Sequence, residues 1–192
     1  MEPDIGTEAQ REAGKTLYMQ FCAHCHGVEG DGQGVAQKTL KPWPRDFTKG
    51  IFKFKTTPGD RLPTTDDIKK VIREGNPYTG MPGWPKFSDE EVTSLAYFIK
   101  TFSADFSDAE LLADEDIAPI PMEPIASVPD WSEESAKKGA ELYSEQKCVD
   151  CHGPAGRGSG SSAPTTLDMD ENQIRPRDFT KRWTFRKGNL CP

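Results

Sequence analysis

Between Ala9 and Phe21 apolar residues recur every fourth position (Ala9, Ala13, Leu17, Phe21), with Gly14 and Tyr18 beside them. That spacing is one face of a helix. Thr7, with Gln10 three positions on, predicts a capping box at its start. A second helix is predicted from Thr64 or Thr65, with Ile68, Val71 and Ile72 on one side and Gly75 as its stop. A third opens at Ser88 with Glu91 as capping partner, and Val92, Leu95, Ala96, Ile99 and Phe102 form its apolar stripe. The alternation at Ile51–Lys55 is too short to found a sheet. Beyond Phe102 the pattern lapses: residues 104–130 hold eight acidic residues, no Lys or Arg, and Pro119, Pro121, Pro124 and Pro129. That composition predicts an extended, solvated spacer. Helical signals resume at Asp130, with Glu133 three positions later, and lead to Cys148. The expected class is all-α.

The pattern repeats. "GKTLYMQFCAHCHG" (14–27) returns as "GAELYSEQKCVDCHG" (139–153) with one residue more, and "PRDFTK" occurs unchanged at 44–49 and 176–181. An aromatic pair follows each time, Phe52 and Phe54, then Trp183 and Phe185. Three matches in the same order indicate tandem duplication. The predicted layout is a first domain over 5–103, a linker over 104–130 and a second domain over 131–192. The second copy has no counterpart to 64–75, 80–85 or 88–102, so it is expected to be the N-terminal part of a domain only.

Composition narrows the function. Only 34% of the residues are hydrophobic, and the chain has 17 glycines and 16 prolines. Domains of such small apolar content are marginal alone, and a large buried cofactor would supply the missing apolar surface. The net charge of −7 resides in the acidic stretch. With no basic stripe to neutralise phosphates, a nucleic-acid partner is excluded. No apolar run is long enough to span a bilayer, and the first residues are too polar for a signal peptide.

The chemistry lies in Cys-x-x-Cys-His. Two thiols at that spacing on a helical turn match the two vinyl groups of a haem, and the following His projects toward the iron. Cys22, Cys25 and His26 form one such set, and Cys148, Cys151 and His152 the other. Zinc knuckles are the competing reading, but they sit about 15–20 residues apart, not a domain apart, and zinc gives no reason for the repeated His. A thioredoxin-like redox pair needs a βαβ setting that is absent. Two covalent haem c groups are therefore expected, and Cys191 is expected to be a free thiol.

A haem iron usually takes a sixth ligand, His or Met among protein choices. Of three histidines, two are the proximal pair and His24 lies inside the first motif, so bis-histidine ligation is excluded. Met81, in "TGMPGWP", follows His26 by 55 residues, enough chain to return over the far face. In the second copy the equivalent position lies beyond Pro192. Met169 is the remaining downstream Met and a lesser candidate ligand; without the equivalent Met, that haem is expected to be five-coordinate or to hold water or a borrowed ligand.

"CAHCHG", the loop after it, "GMP" and the closing helix "EEVTSLAYFIKTF" resemble a class I cytochrome c domain over residues 5–103. Residues 131–190 resemble the first half of one. The resemblance implies that Arg45 and Arg177 pair with haem propionates and that Phe47, Phe52, Phe54 and Trp84 wall the haem. It also implies a proline carbonyl accepting the proximal His N–H. Pro164 is placed for this in the second copy, whereas the first has Gln37 and Lys38 there.

The function so implied is a dihaem electron carrier between respiratory protein partners, periplasmic or otherwise exported. It is not an enzyme on this reading. The alternative is a dihaem peroxidase-like enzyme or a haem-based gas-binding module using an open second haem.

Overall fold

The computed structural model describes residues 2–76, 79–123, 130–167 and 173–181. Met169, Cys191, Trp183 and Phe185 lie outside the described residues. The chain divides after Glu123 into two compact units. Both are helical. Among the described residues the only β pairing is a single bridge between Leu167 and Gln173.

In the first unit α1 (Glu8–Phe21) is capped by Thr7 and Gln10 as predicted. The helical turn α2 (Ala23–His26) follows at once. Helix α3 (Thr65–Glu74) is boxed by Thr64 and Asp67, and α4 (Asp89–Lys100) by Ser88 and Glu91. Helices α1 and α4 cross at Gly14, where an added Cβ would lie 2.0 Å from the Ser94 carbonyl oxygen. This close approach moves the buried face. Gly14 and Tyr18 are its centre, Leu17 and Phe21 flank it, and Ala9 and Ala13 are exposed. Tyr18 packs on Phe98 and Phe102 with ring centroids 5.2 and 5.1 Å away. On α4, Val92, Leu95, Ala96 and Ile99 are buried as the stripe predicted. The buried Lys100 ammonium donates to the Asp4 carbonyl and the Thr65 hydroxyl, both at 2.6 Å, and pins the N-terminal segment to α3 and α4.

The acidic stretch is not the extended spacer its composition predicts. Through residue 122 it folds onto the first unit by two 3-10 turns, Ala104–Phe106 and Leu111–Ala113. Phe106, Leu112 and Ala118 are buried, the first two with Leu62. Leu62 N–H donates to Ile117 (2.8 Å) and Met122 N–H to Thr56 (3.0 Å). The spaced apolar residues turn inward while Asp108 and Asp114 accept from local backbone N–H groups. Local amides satisfy these carboxylates, so the charge does not keep the chain extended.

The second unit opens with α5 (Glu133–Glu145), capped by Ser132 and Ser135 rather than Asp130 and Glu133. The motif turn α6 (Cys148–His152) follows. The extra residue of the repeat is accommodated at Lys147, whose φ of 56° is left-handed. No residue of α5 is buried, and Gly139, the counterpart of Gly14, has nothing within 4 Å of an added Cβ.

Candidate haem sites

Both motifs fold alike. In the first, Cys25 N–H and His26 N–H turn back to the Cys22 carbonyl (3.1 and 2.9 Å), which places the two thiols on one helical turn. The loop beyond then retraces the turn. Gly32 N–H donates to His26, Gly34 to Cys25 and Ala36 to His24. Gly158, Gly160 and Ser162 repeat these bonds to His152, Cys151 and Asp150. The return path is close enough to require glycine: a Cβ on Gly34 would sit 2.4 Å from the His24 oxygen, and one on Gly160 2.2 Å from that of Asp150. Tyr18 and Tyr143 each donate a hydroxyl, at 2.7 Å, to the carbonyl of the glycine closing the motif, Gly27 or Gly153.

The histidines are oriented by "PRDFTK". His26 Nδ1 lies 3.1 Å from the Arg45 carbonyl oxygen and His152 Nδ1 2.9 Å from that of Arg177. A carbonyl only accepts, so each Nδ1 carries a proton, and in the neutral ring Nε2 is the nitrogen with the lone pair. Phe47 stacks on the His26 ring at 4.5 Å and Phe179 on the His152 ring at 4.1 Å. This corrects the role expected of Pro164. Its carbonyl receives the Gln173 side-chain amide at 2.7 Å, while Arg177 accepts from the histidine. In the first copy, where Gln37 and Lys38 stand, the acceptor is likewise an arginine carbonyl. The exact repeat of the hexapeptide was the visible signal for this role, but a backbone acceptor leaves no mark in residue type.

The donor set fits haem c. Burial, with the Cys25 charge adding to it, pushes the Cys22 thiol up to about 12, and burial also raises Cys25. Both are therefore neutral thiols in this setting, able to add S–H across a vinyl group. Burial lowers the pKa of His26 despite the bond to Arg45, which favours the neutral ring a metal needs. None of the four described cysteines is in a disulfide. Among the described residues no three His, Cys, Asp or Glu side chains gather as a metal cluster.

Met81 is half-buried. Its N–H donates to the Thr79 hydroxyl and its carbonyl accepts from Asn76, both at 3.1 Å. Next to it, a Cβ on Gly80 would meet the Leu40 side chain at 2.4 Å. Trp84 stacks on Phe87 and packs against Phe21, the residue before Cys22, both at 5.2 Å. The Met81 segment is thus held between the loop after His26 and the end of α1. Phe52 packs on Phe47 and Phe106, and Phe54 is exposed.

Comparison with known proteins agrees with this chemistry. The family of cytochrome c oxidase cbb3-type subunit III matches residues 9–99, and the cytochrome c family matches 136–184. Cytochrome c-554(547) of Halothiobacillus neapolitanus is 32% identical over 91 residues, 46% of this chain and 92% of that protein. Among solved structures, a chain of the reducing HAO-like protein complex of Kuenenia stuttgartiensis superposes with a TM-score of 0.79 at 35% identity. The match covers 94% of this chain and 77% of that one.

Proposed function

The chain belongs to the cytochrome c family, and on that premise we propose that it is a dihaem carrier of single electrons between protein partners outside the cytoplasm. The observation that carries this reading is the duplication of one complete proximal arrangement: two thiols on a turn and a histidine whose Nε2 is left free by a carbonyl on Nδ1. Haem bound at such a site supplies an iron that alternates between ferric and ferrous states. Cys22 and Cys25, and Cys148 and Cys151, would each hold a porphyrin by thioether bonds, and His26 and His152 would offer Nε2 to the iron.

Met81 is assigned as the far-side ligand of the first haem. Support comes from its placement in a loop braced on Leu40 and Phe21. A thioether on the iron raises the potential and closes the metal to other ligands. An enzyme reading is disfavoured because the one histidine outside the two proximal positions, His24, lies exposed within the first motif turn. No helix among the described residues is long and apolar enough to cross a membrane. The structural relative comes from a protein complex, which supports protein partners for this chain as well.

Two measurements test the reading. Denaturing mass spectrometry is expected to give the polypeptide plus two haems, and bare polypeptide mass would refute it. The first haem is expected to resist carbon monoxide, and Met81→Ala to open it. A first haem that binds carbon monoxide before the substitution would remove Met81 from the site.

A further inference from the structure

The hexapeptide "PRDFTK" does more than supply a carbonyl. In each copy the residue after the acceptor arginine is an aspartate that folds the next three residues around itself. Asp46 Oδ1 accepts from Thr48 N–H (2.9 Å) and from the Thr48 hydroxyl (2.6 Å), and Oδ2 faces Lys49 at 3.9 Å. Asp178 does the same with Thr180 N–H (3.0 Å), the Thr180 hydroxyl (2.6 Å) and Lys181 (3.6 Å). Phe47 N–H and Phe179 N–H both anchor, at 2.7 Å, on the carbonyl of the first glycine after the motif, Gly30 or Gly156. The strand of backbone before the acceptor lies against Gly32 and Gly158, where an added Cβ would stand 2.7 Å from the Pro44 oxygen and 2.3 Å from that of Pro176. The peptide whose oxygen meets the histidine is thus held on one side by glycine backbone and on the other by the aspartate turn.

We propose that Asp46 and Asp178 are positioning residues that set the strength of the proximal histidine hydrogen bond and, through it, the reduction potential of each haem. The physical link is the electron density on the imidazole. A short Nδ1–H···O=C bond makes Nε2 a stronger donor, which favours ferric iron. If the turn loosens, the carbonyl drifts, the imidazole becomes a weaker donor and the potential rises. The two clamps use the same partners in both copies, but Phe47 is buried whereas Phe179 is exposed, so burial as well as the far sides can separate the two potentials. The hydrogen bond from Thr180 also holds the Asp178 carboxyl below its ordinary pKa, so it is a charged acceptor at neutral pH.

The proposal rests on His26 and His152 being iron ligands. The experiment is spectroelectrochemical titration of the full haem-loaded chain, resolved for the two haems, together with NMR of the histidine ring N–H signals. Asp46→Ala and Thr48→Val are each expected to raise the potential of the first haem alone. The expected size is a roughly tenfold shift of its ferrous-to-ferric ratio, or about 59 mV for one electron. Asp178→Ala does this to the second haem alone. Asp46→Asn keeps the Oδ1 acceptor while losing the charge, and is expected to shift the ratio less than half as far. The His26 ring N–H signal exchanges faster with solvent in the first two variants. Thr48→Val alters no charge, so it serves if Asp46→Ala fails to load haem. A shift in Asp46→Asn equal to that in Asp46→Ala, with Thr48→Val silent, would mean a plain charge effect and overturn the proposal. Unchanged potentials with both histidines ligated would overturn it too. Absence of any histidine-bound iron in the unsubstituted chain would instead overturn the reading on which it rests.

Discussion

Gly14→Ala is expected to destabilise the first unit by about 2 kcal/mol, although alanine is the better helix former. The added methyl would lie 2.0 Å from the Ser94 carbonyl oxygen and 2.5 Å from its carbon. Neither is the end of a side chain that can rotate away, so α1 and α4 must separate. Overpacking at that level costs about 3 kcal/mol, against roughly 1 kcal/mol returned by helix propensity. The repeat supplies the control. Gly139 holds the same place in the second copy, with nothing within 4 Å, so Gly139→Ala is expected to stabilise α5 by up to about 1 kcal/mol. Hydrogen exchange of the full chain, read on peptides from each unit, checks both signs. Equal signs at the two glycines would show that the α1–α4 crossing is not as close as described.

The second large effect is expected at Asp67. This buried carboxylate accepts Thr56 N–H at 2.9 Å, Thr56 Oγ1 at 3.2 Å, Thr64 N–H at 3.0 Å and Thr64 Oγ1 at 2.9 Å. It therefore closes the start of α3 and holds Thr56, whose own carbonyl anchors Met122 at the end of the folded acidic segment. Asp67→Ala removes the N-terminal box and strands two backbone donors. Such losses together cost about 3 kcal/mol. Asp67→Asn retains one oxygen acceptor and is expected to fall between. Urea unfolding measures the loss, and limited proteolysis should show earlier cleavage within 104–122. A variant as stable as the parent, with that segment still protected, would contradict the assigned network.

Asp67 also shows where reading the chain stops. A carboxylate three residues after a threonine is visible as a helix start. That the same carboxylate reaches back to Thr56 is a long-range fact with no periodicity to announce it. The 104–122 segment is the plainer case. Its charge and prolines argue for a solvated spacer, yet Phe106, Leu112 and Ala118 are spaced so that 3-10 turns bury them. Composition averages over positions, whereas burial depends on where each apolar residue falls and on whether a surface waits for it. Leu62 and Phe52 form that surface, and they come from elsewhere in the chain.

Local interactions were legible because they act within a few residues. The capping boxes at Thr7 and Ser88, a helix start at Thr64 or Thr65, the stop at Gly75, the buried stripe of α4 and the paired thiols before each histidine are all of this kind. Sequence by itself therefore determined an all-helical, duplicated chain and the two Cys-x-x-Cys-His sets for which haem binding is proposed. Only the tertiary structure decided which backbone oxygen holds each proximal histidine, that α1 turns Gly14 rather than Ala13 to its partner, and that the acidic segment lies on the first unit. The reason is common to all three. A carbonyl is present at every residue, a helix offers several faces, and a segment can bury its apolar side chains only on a surface assembled by distant parts of the chain.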